Sequence, residues 1–266
     1  MQVGPHEIAF KRYGDGTPTV VILPGFGADA AVWEPIATAV AATTSVLTYD
    51  RPPYGSTGAA RDRRTPDQIA AELAGLLDAL DIKAPVVLVA HSAGGRYARR
   101  FAMRYPDRMA GLVLVDSSHE DQVKRLLPRF PLRMRLQDRM TPLAVLVDRS
   151  RSWPVRRSTY REFRSFDRQS AADALPPGAL GDLPLIVITR AQPADAKLAA
   201  GWRAWRGLHL ELAATSTDHR HLIASTDEHN IHLHQPDLVL DAIDAVIQSV
   251  RAAVPLSASG DDAGAA

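Results

Sequence analysis

Ser92 lies within a run of small side chains, AHSAGG at 90–95, which follows an apolar stretch and precedes a helical pattern. A serine can act as a nucleophile when its hydroxyl is exposed, a base lies beside it, and N–H donors receive the charge that develops on the substrate oxygen. A sharp turn from a strand into a helix exposes the hydroxyl, and small neighbours relieve the crowding at such a turn. The stretch therefore predicts a nucleophile at Ser92, whereas a plainer interpretation makes the serine a helix N-cap, a position that serine favours.

The same residues resemble the nucleophile elbow of the α/β-hydrolase family, with Ala90 in place of the usual first glycine. The resemblance implies two backbone N–H donors for the substrate oxyanion. One belongs to Ala93, directly after the nucleophile, and the other to Phe26 in the loop LPGFG, where Pro24 replaces the family's usual histidine. The loop DRPPYGS at 50–56 is also similar to a family loop, and we interpret it as a turn without a role in the chemistry.

A catalytic base is expected on a loop ahead of the last helix, and the sequence places several histidines there. Residues 228–239, EHNIHLHQPDLV, are similar to the family's histidine segment, with His229 in the histidine position. We therefore predict that His229 takes the proton from Ser92. Two His-x-His pairs raise the alternative of a metal site, but nothing near them supplies a convincing set of ligands, so no metal is predicted. The other histidines of this region are His219, His221, His232 and His234.

Two aspartates are candidates for the acid that orients the imidazole and stabilises its charged form. Many members of the family place this acid after the strand that corresponds to 185–189. Asp195 lies in the loop after that strand, but about two positions later than in the usual family pattern. Asp116 directly follows the apolar run at 111–115, at the carboxyl end of a predicted strand, where catalytic groups gather in open α/β sheets. We predict Asp116 and keep Asp195 as the alternative. A purely structural interpretation makes Asp116 a turn residue that accepts backbone hydrogen bonds.

The composition of the chain is typical of a globular protein. It has 266 residues, 46% of them hydrophobic and 23% charged, and its formal net charge of +1 predicts neither a nucleic-acid partner nor a membrane surface. The absence of cysteine excludes disulfides, thiolate zinc sites and a cysteine nucleophile. The N-terminus lacks a signal-peptide pattern, and no run of about 18 apolar residues could span a membrane, so we expect a cytoplasmic protein.

Apolar runs alternate with helical patterns along the chain, which predicts an α/β fold. Runs that are apolar throughout indicate a mostly parallel, twisted sheet with helices on both faces, in agreement with the α/β-hydrolase fold that the resemblance implies. Residues 6–13 are expected to add an antiparallel hairpin at the edge. The predicted strands are 19–23, 45–49, 86–90, 111–115, 184–189 and 208–213, and the predicted helices are 33–42, 93–105 and two that begin at 65 and near 236.

The segment 121–180 interrupts this alternation, because it contains no run typical of a buried strand. We predict that it forms a helical lid inserted into one hydrolase core, residues 1–120 and 181–254, and that the tail at 255–266 is disordered. The segment carries thirteen basic residues against six acidic ones. This charge is interpreted first as a solvated helical surface and second as a basic rim that attracts anionic substrates.

Together these residues predict a cofactor-independent serine hydrolase that cleaves an ester, thioester or lactone of a small-molecule acyl substrate. Ser92 forms the acyl-enzyme, His229 transfers the protons, and Asp116 orients His229. The same residues could instead pass the acyl group to another acceptor or carry out perhydrolysis. A homologue with this fold could also bind a ligand without turnover, because a fold does not determine a reaction.

Overall fold

The computed structural model describes residues 1–60, 63–131, 140, 144–148, 151–168 and 174–258. Nine strands occur within these residues, and seven of them form one sheet. In chain order the strands are β1 Gln2–Val3, β2 His6–Glu7, β3 Phe10–Tyr13, β4 Val20–Leu23, β5 Val46–Tyr49, β6 Val86–His91, β7 Met109–Val115, β8 Leu185–Thr189 and β9 His219–Ile223.

The central sheet has the strand order β3-β5-β4-β6-β7-β8-β9. Within the described residues β3 lies antiparallel to β5, and every other neighbouring pair is parallel. The strands β4, β6 and β8 are buried along their whole length, as expected for a sheet that is covered on both faces. The prediction of a mostly parallel sheet is confirmed, and the carboxyl ends of β4, β6, β7 and β8 meet at one edge.

Helices cover both faces of the sheet. In chain order they are α1 Glu34–Val40, α2 Pro66–Ala79, α3 Ala93–Arg104, α4 Gln122–Leu126, α5 Trp153–Arg168, α6 Ala199–Ala213, α7 Ile231–His234 and α8 Pro236–Ala252. One core contains Leu73 of α2, Phe101 of α3 and Leu212 of α6, and the core on the opposite face contains Ile36 of α1 and Ile243 of α8. In the part of the chain that the structure describes, no helix combines the length and the apolar character needed to cross a membrane.

The predicted strand at 208–213 is wrong, because these residues belong to helix α6. The alternation of Leu208, Leu210 and Leu212 is typical of a strand when it is considered alone. In the helix Leu208 and Leu212 lie four positions apart on the buried face, whereas Leu210 is 49% exposed. The sheet ends instead in β9, whose sequence HRHLI is only partly buried and therefore lacks the apolar run of a central strand.

Both ends of the chain differ from the prediction. The expected hairpin at 6–13 is replaced by the separate two-stranded sheet of β1 and β2, while β3 forms the antiparallel edge of the central sheet. The predicted disorder is wrong for the start of the tail, where Leu256 is buried. The Asp218 carboxylate accepts hydrogen bonds from the main-chain N–H groups of Leu256 and Ser257, at 3.0 and 3.2 Å. The rest of the tail, 259–266, lies outside the described residues.

The described residues between β7 and β8 contain helices α4 and α5 and no strand. Helix α5 and the residues just before it contact the segments that follow β4 and β5. The Ser158 hydroxyl donates to the Ala60 carbonyl at 2.8 Å, and the Arg151 guanidinium, just before α5, donates to the Gly27 carbonyl at 3.3 Å. The division of the chain into a hydrolase core and a lid stays a prediction.

Candidate active site

Ser92 stands at a sharp turn between β6 and α3. Its backbone has φ 52° and ψ −123°, in a region that is strained for any residue other than glycine. The main chain holds it there, because the Ser92 N–H donates to the Val115 carbonyl at 3.2 Å and the Ser92 carbonyl accepts from the Ser118 N–H at 2.9 Å. Ser92 is half-buried, whereas its neighbours His91 and Ala93 are buried. The turn thus presents this residue at the carboxyl edge of the sheet.

The small residues after Ser92 are required by close packing. A Cβ atom on Gly94 would lie 2.3 Å from the Leu23 carbonyl oxygen, and one on Gly95 would lie 1.8 Å from the Ser117 hydroxyl. Both distances are far below contact distance, so α3 approaches β4 and the end of β7 only because these positions lack side chains.

Replacing Gly94 by alanine is expected to destabilise the protein by about 1–3 kcal/mol, because the added methyl group meets a main-chain carbonyl that can move only with β4. Chemical denaturation of the purified variant measures the change. Gly58→Ala is the matched control, since a Cβ at Gly58 would meet nothing within 4 Å, and its free energy of unfolding should stay within about 0.5 kcal/mol of the wild-type value. Equal stability of the two variants would contradict the packing argument.

Asp116 and His229 are brought together at the same edge of the sheet. Asp116 directly follows β7, is fully buried and has φ 40°. The His229 Nδ1–H donates to its Oδ2 at 2.6 Å, from a loop that lies between β9 and α7. Asp195, the alternative acid, is exposed and instead caps a short 3₁₀ helix by accepting from the Lys197 N–H at 2.9 Å. The structure therefore gives Asp116, and not Asp195, the contact with the imidazole.

The Asp116 carboxylate accepts three further hydrogen bonds from two residues. Arg190, which follows β8, donates from its main-chain N–H at 3.3 Å and from Nη1 at 3.2 Å, and Trp205 of α6 donates from Nε1 at 2.7 Å. Burial by itself raises the pKa of Asp116, but the hydrogen bond from His229 and the charge of Arg190 outweigh it and hold the pKa well below its ordinary value. The carboxyl group is therefore ionised near pH 7.

A buried imidazole connects Ser92 to the His229 loop. His91, directly before Ser92, donates from Nε2 to the His229 carbonyl at 3.1 Å, and its ring centroid lies 4.6 Å from that of His229. Burial, assisted by the nearby His229 and His232, lowers the pKa of His91 to about 3. The ring is therefore neutral near pH 7 and holds the main chain of the His229 loop through a single hydrogen bond.

The remaining histidines of this region lie in other surroundings. His219 contacts the Ser216 carbonyl at 2.7 Å, His221 contacts the Thr189 hydroxyl at 2.7 Å, and His234 is exposed. Within the described residues, no group of three or more His, Cys, Asp or Glu side chains is placed to hold a metal ion.

His232 is buried and stacks on Trp33, with ring centroids 4.0 Å apart and planes 8° from parallel. Neither of its ring nitrogens has a hydrogen-bond partner among the described residues. Burial, with the neighbouring His229 and His234, lowers the pKa of His232 to about 4, against about 6.5 in an unfolded chain. Between these pH values the unfolded chain binds a proton that the folded protein does not bind, so protonation favours unfolding. The stability that depends on the neutral form of His232 is therefore complete above about pH 6.5 and is lost as the pH falls towards 4.

The variant His232→Phe should therefore lose stability less steeply below pH 6.5. Phenylalanine can keep the stack on Trp33, and removing one titrating group should reduce the slope of the unfolding free energy by up to about 1.4 kcal/mol per pH unit. Denaturant unfolding between pH 4 and 7 gives the slope, and His234→Phe, with an exposed side chain on the same short helix, serves as the control. If the unfolding free energy of wild type and of His232→Phe changed in parallel with pH, His232 would not be buried in its neutral form.

The two predicted backbone donors belong to segments that adjoin Ser92. Ala93 is the first residue of α3, where N–H groups have no partner within the helix and the helix dipole favours negative charge. Phe26 lies in the loop after β4, and this loop touches the elbow. A Cβ on Gly25 would lie 3.0 Å from His91 Nδ1 and 3.1 Å from Ser92 Cβ, so a side chain at this position would crowd the elbow.

The fold agrees with comparisons to known proteins. A family model described as alpha/beta hydrolase fold matches residues 18–173, which is more than half of the chain. The chain belongs to the α/β-hydrolase family.

Relatives of this α/β hydrolase differ in how much of the chain they match. The uncharacterized protein YqjL of Bacillus subtilis is 27% identical over 92% of this chain and 90% of its own length. The pimeloyl-[acyl-carrier protein] methyl ester esterase of Aeromonas hydrophila is 31% identical, but the match spans only 42% of each chain. Among solved structures, the enol-lactonase of Burkholderia xenovorans LB400 superimposes with a TM-score of 0.69 at 19% identity, covering 92% of this chain and 98% of its own.

Sequence reasoning about this α/β hydrolase missed Arg190 and Trp205, the two additional partners of Asp116. Arg190 could have been found from topology, because it directly follows the strand next to β7 and so shares its edge of the sheet. Trp205 lies within the stretch that precedes the wrongly predicted strand. Its helical spacing from Leu208 and Leu212 became clear only once α6 was recognised as a helix.

Proposed function

We propose that the protein is a cofactor-independent serine hydrolase that cleaves an ester, thioester or lactone through an acyl-enzyme on Ser92. The observation that carries the proposal is the 2.6 Å contact between His229 Nδ1 and Asp116 Oδ2 at the sheet edge where the elbow presents Ser92. The names of two relatives, a methyl ester esterase and an enol-lactonase, support chemistry at an acyl carbonyl.

In the proposed reaction, His229 Nε2 accepts the Ser92 hydroxyl proton while the serine oxygen attacks the acyl carbonyl carbon. The N–H groups of Phe26 and Ala93 stabilise the oxyanion. The imidazolium then gives its proton to the departing alcohol or thiol, and the carbonyl re-forms as the acyl-enzyme. A water molecule, deprotonated by the same imidazole, then attacks the acyl carbonyl, and the imidazolium returns that proton to the Ser92 oxygen as the acid leaves. Asp116 stays ionised throughout and stabilises the imidazolium.

We further propose that the segment 121–180 is a lid over the acyl-binding region. The support for this is contact between α5 and the loop that carries the Phe26 donor. The Phe163 ring of α5 packs edge-on against the Phe26 ring, with centroids 5.8 Å apart. An apolar surface formed by two aromatic rings beside the proposed oxyanion site suits an acyl chain better than a charged group.

The experiment that tests the proposed function is a p-nitrophenyl ester series of increasing acyl length, measured with the purified wild-type protein. A burst of p-nitrophenol equal to the amount of enzyme, and a mass increase on Ser92 equal to the acyl group, are the expected results. Adding an alcohol or hydrogen peroxide during turnover measures acyl transfer or perhydrolysis against hydrolysis. A folded protein that neither hydrolyses these esters nor reacts with a fluorophosphonate probe would contradict the proposal and favour a ligand-binding role.

A further inference from the structure

A buried ion pair joins the inserted helix α5 to the loop that follows β5. Arg51 and Glu162 are 1% and 0% exposed, and their Nη2 and Oε1 atoms lie 3.1 Å apart. Burial by itself lowers the pKa of Arg51, but the charge of Glu162 outweighs it and raises the pKa above its ordinary value, so the guanidinium remains charged. The proposed reaction described above does not use this pair.

The same guanidinium also holds the main chain of the loop after β4. Arg51 Nη1 donates to the Pro24 carbonyl at 2.9 Å, and Nη2 donates to the Gly25 carbonyl at 3.1 Å. The Gly25 carbonyl and the Phe26 N–H belong to one planar trans peptide unit, in which the two bonds point in opposite directions. Directing the carbonyl towards Arg51 therefore directs the Phe26 N–H away from Arg51. A cation on the carbonyl oxygen also polarises the peptide and makes its N–H a stronger donor.

The position of Arg51 is itself defined by groups from two other elements. The Tyr97 hydroxyl of α3 donates to Glu162 Oε1 at 2.7 Å, so α3 and α5 hold the carboxylate between them. The guanidinium carbon lies 4.8 Å from the ring centroid of Tyr97 and 5.3 Å from that of Tyr54. A buried ion pair gives a fold little stability that apolar side chains of similar volume could not give. The position of the pair beside the loop after β4 is therefore better explained by the peptide unit that Arg51 orients.

We propose that Arg51 is a positioning residue that fixes the direction of the Phe26 N–H, and that Glu162 makes this orientation depend on the docking of α5. The inference rests on the proposed function, in which that N–H stabilises the oxyanion of ester hydrolysis. The loop at 50–56, which the sequence predicted to be a turn without a role in the chemistry, thereby acquires one through Arg51.

The test replaces the whole pair, because apolar replacement of both partners preserves folding better than removal of one. The double variant Arg51→Met/Glu162→Leu is expected to lower kcat for p-nitrophenyl ester hydrolysis by about 100-fold, with KM within about threefold of the wild-type value. Its affinity for a trifluoromethyl ketone, which forms a tetrahedral oxyanion on Ser92, should fall by a similar factor. The control is Arg64→Met/Glu72→Leu, which removes a second buried pair whose atoms lie 2.7 Å apart, and which should keep both values.

A conservative variant separates orientation from general packing. Glu162→Gln keeps an oxygen that accepts from Arg51 and Tyr97, so its kcat should stay within about threefold of the wild-type value. If the double variant does not fold, Glu162→Leu is compared with Glu162→Gln, and a kcat at least about tenfold lower for the leucine variant at equal KM supports the proposal. Three results would overturn the proposal. The folded double variant could keep the wild-type kcat, Glu162→Leu and Glu162→Gln could have equal kcat values, or the control Arg64→Met/Glu72→Leu could lose as much kcat as the double variant. These results differ from failure of the proposed function, in which the wild-type protein itself shows no hydrolysis.

Discussion

Ser92→Ala is expected to lower ester hydrolysis by at least about 10⁵-fold and to leave the fold intact. The hydroxyl is the group that forms the acyl-enzyme, and loss of the serine in a Ser-His-Asp triad typically removes nearly the whole contribution of the triad. Alanine is smaller than serine and tolerates the backbone conformation of the turn as well as serine does, so the free energy of unfolding should change little. Purified wild type and variant are compared in p-nitrophenyl ester hydrolysis, with fluorophosphonate labelling followed by mass spectrometry of the peptide that contains residue 92.

The control for this experiment is Ser118→Ala. Ser118 lies at the same edge of the sheet and its N–H contacts the Ser92 carbonyl, but the substitution leaves that main-chain contact in place. This variant should keep its activity and its fluorophosphonate label. Hydrolysis by Ser92→Ala at a rate close to the wild-type rate would show that the elbow does not carry the nucleophile.

The second large effect concerns the acid. Asp116→Asn should lower kcat by about 10⁴-fold, because an amide cannot stabilise the imidazolium and favours the wrong tautomer of His229. Asp195→Asn, at an exposed cap of a 3₁₀ helix, should leave kcat unchanged. The substitution at Asp116 also removes the negative partner of Arg190, so the variant should be less stable, and its denaturation curve must be measured beside its kinetics.

The pair of variants decides between the two acids that the sequence left open. If Asp195→Asn lost activity and Asp116→Asn kept it, the contact between His229 and Asp116 would be a structural ion pair and the proposed triad would be wrong. If both variants kept full activity, the histidine would act without a carboxylate partner. Only selective loss in Asp116→Asn agrees with the 2.6 Å contact.

The parts of the site that were predictable from sequence have strong local requirements. The elbow could be predicted because the contact of Gly94 with the Leu23 carbonyl excludes any side chain at that position. Such a steric limit restricts the residue types in a short stretch of sequence, where they can be recognised. Asp116 could be proposed because the end of an apolar strand identifies the catalytic edge of a parallel sheet. The sheet itself was predictable from its buried, apolar strands.

The parts that were missed depend on contacts between distant segments. Arg51 and Glu162 are separated by 111 residues, and the sequence around each of them does not indicate that they form an ion pair. The edge strand β9 is partly exposed, so its polar sequence resembles a loop. The wrong strand at 208–213 arose because an alternating pattern of six residues is too short to exclude a helix, and the buried face of this helix includes two of the three leucines in that pattern.

The position of Asp116 directly after β7 has a practical consequence for redesign of this protein. The Asp116 carboxylate follows β7, the strand next to β6, and its further contacts come from Arg190 and from Trp205 of α6 rather than from the connection between them. Most of the stretch 192–197 is exposed. That stretch is therefore a suitable place to graft a reporter peptide or a longer connection while the contact between Asp116 and His229 is kept.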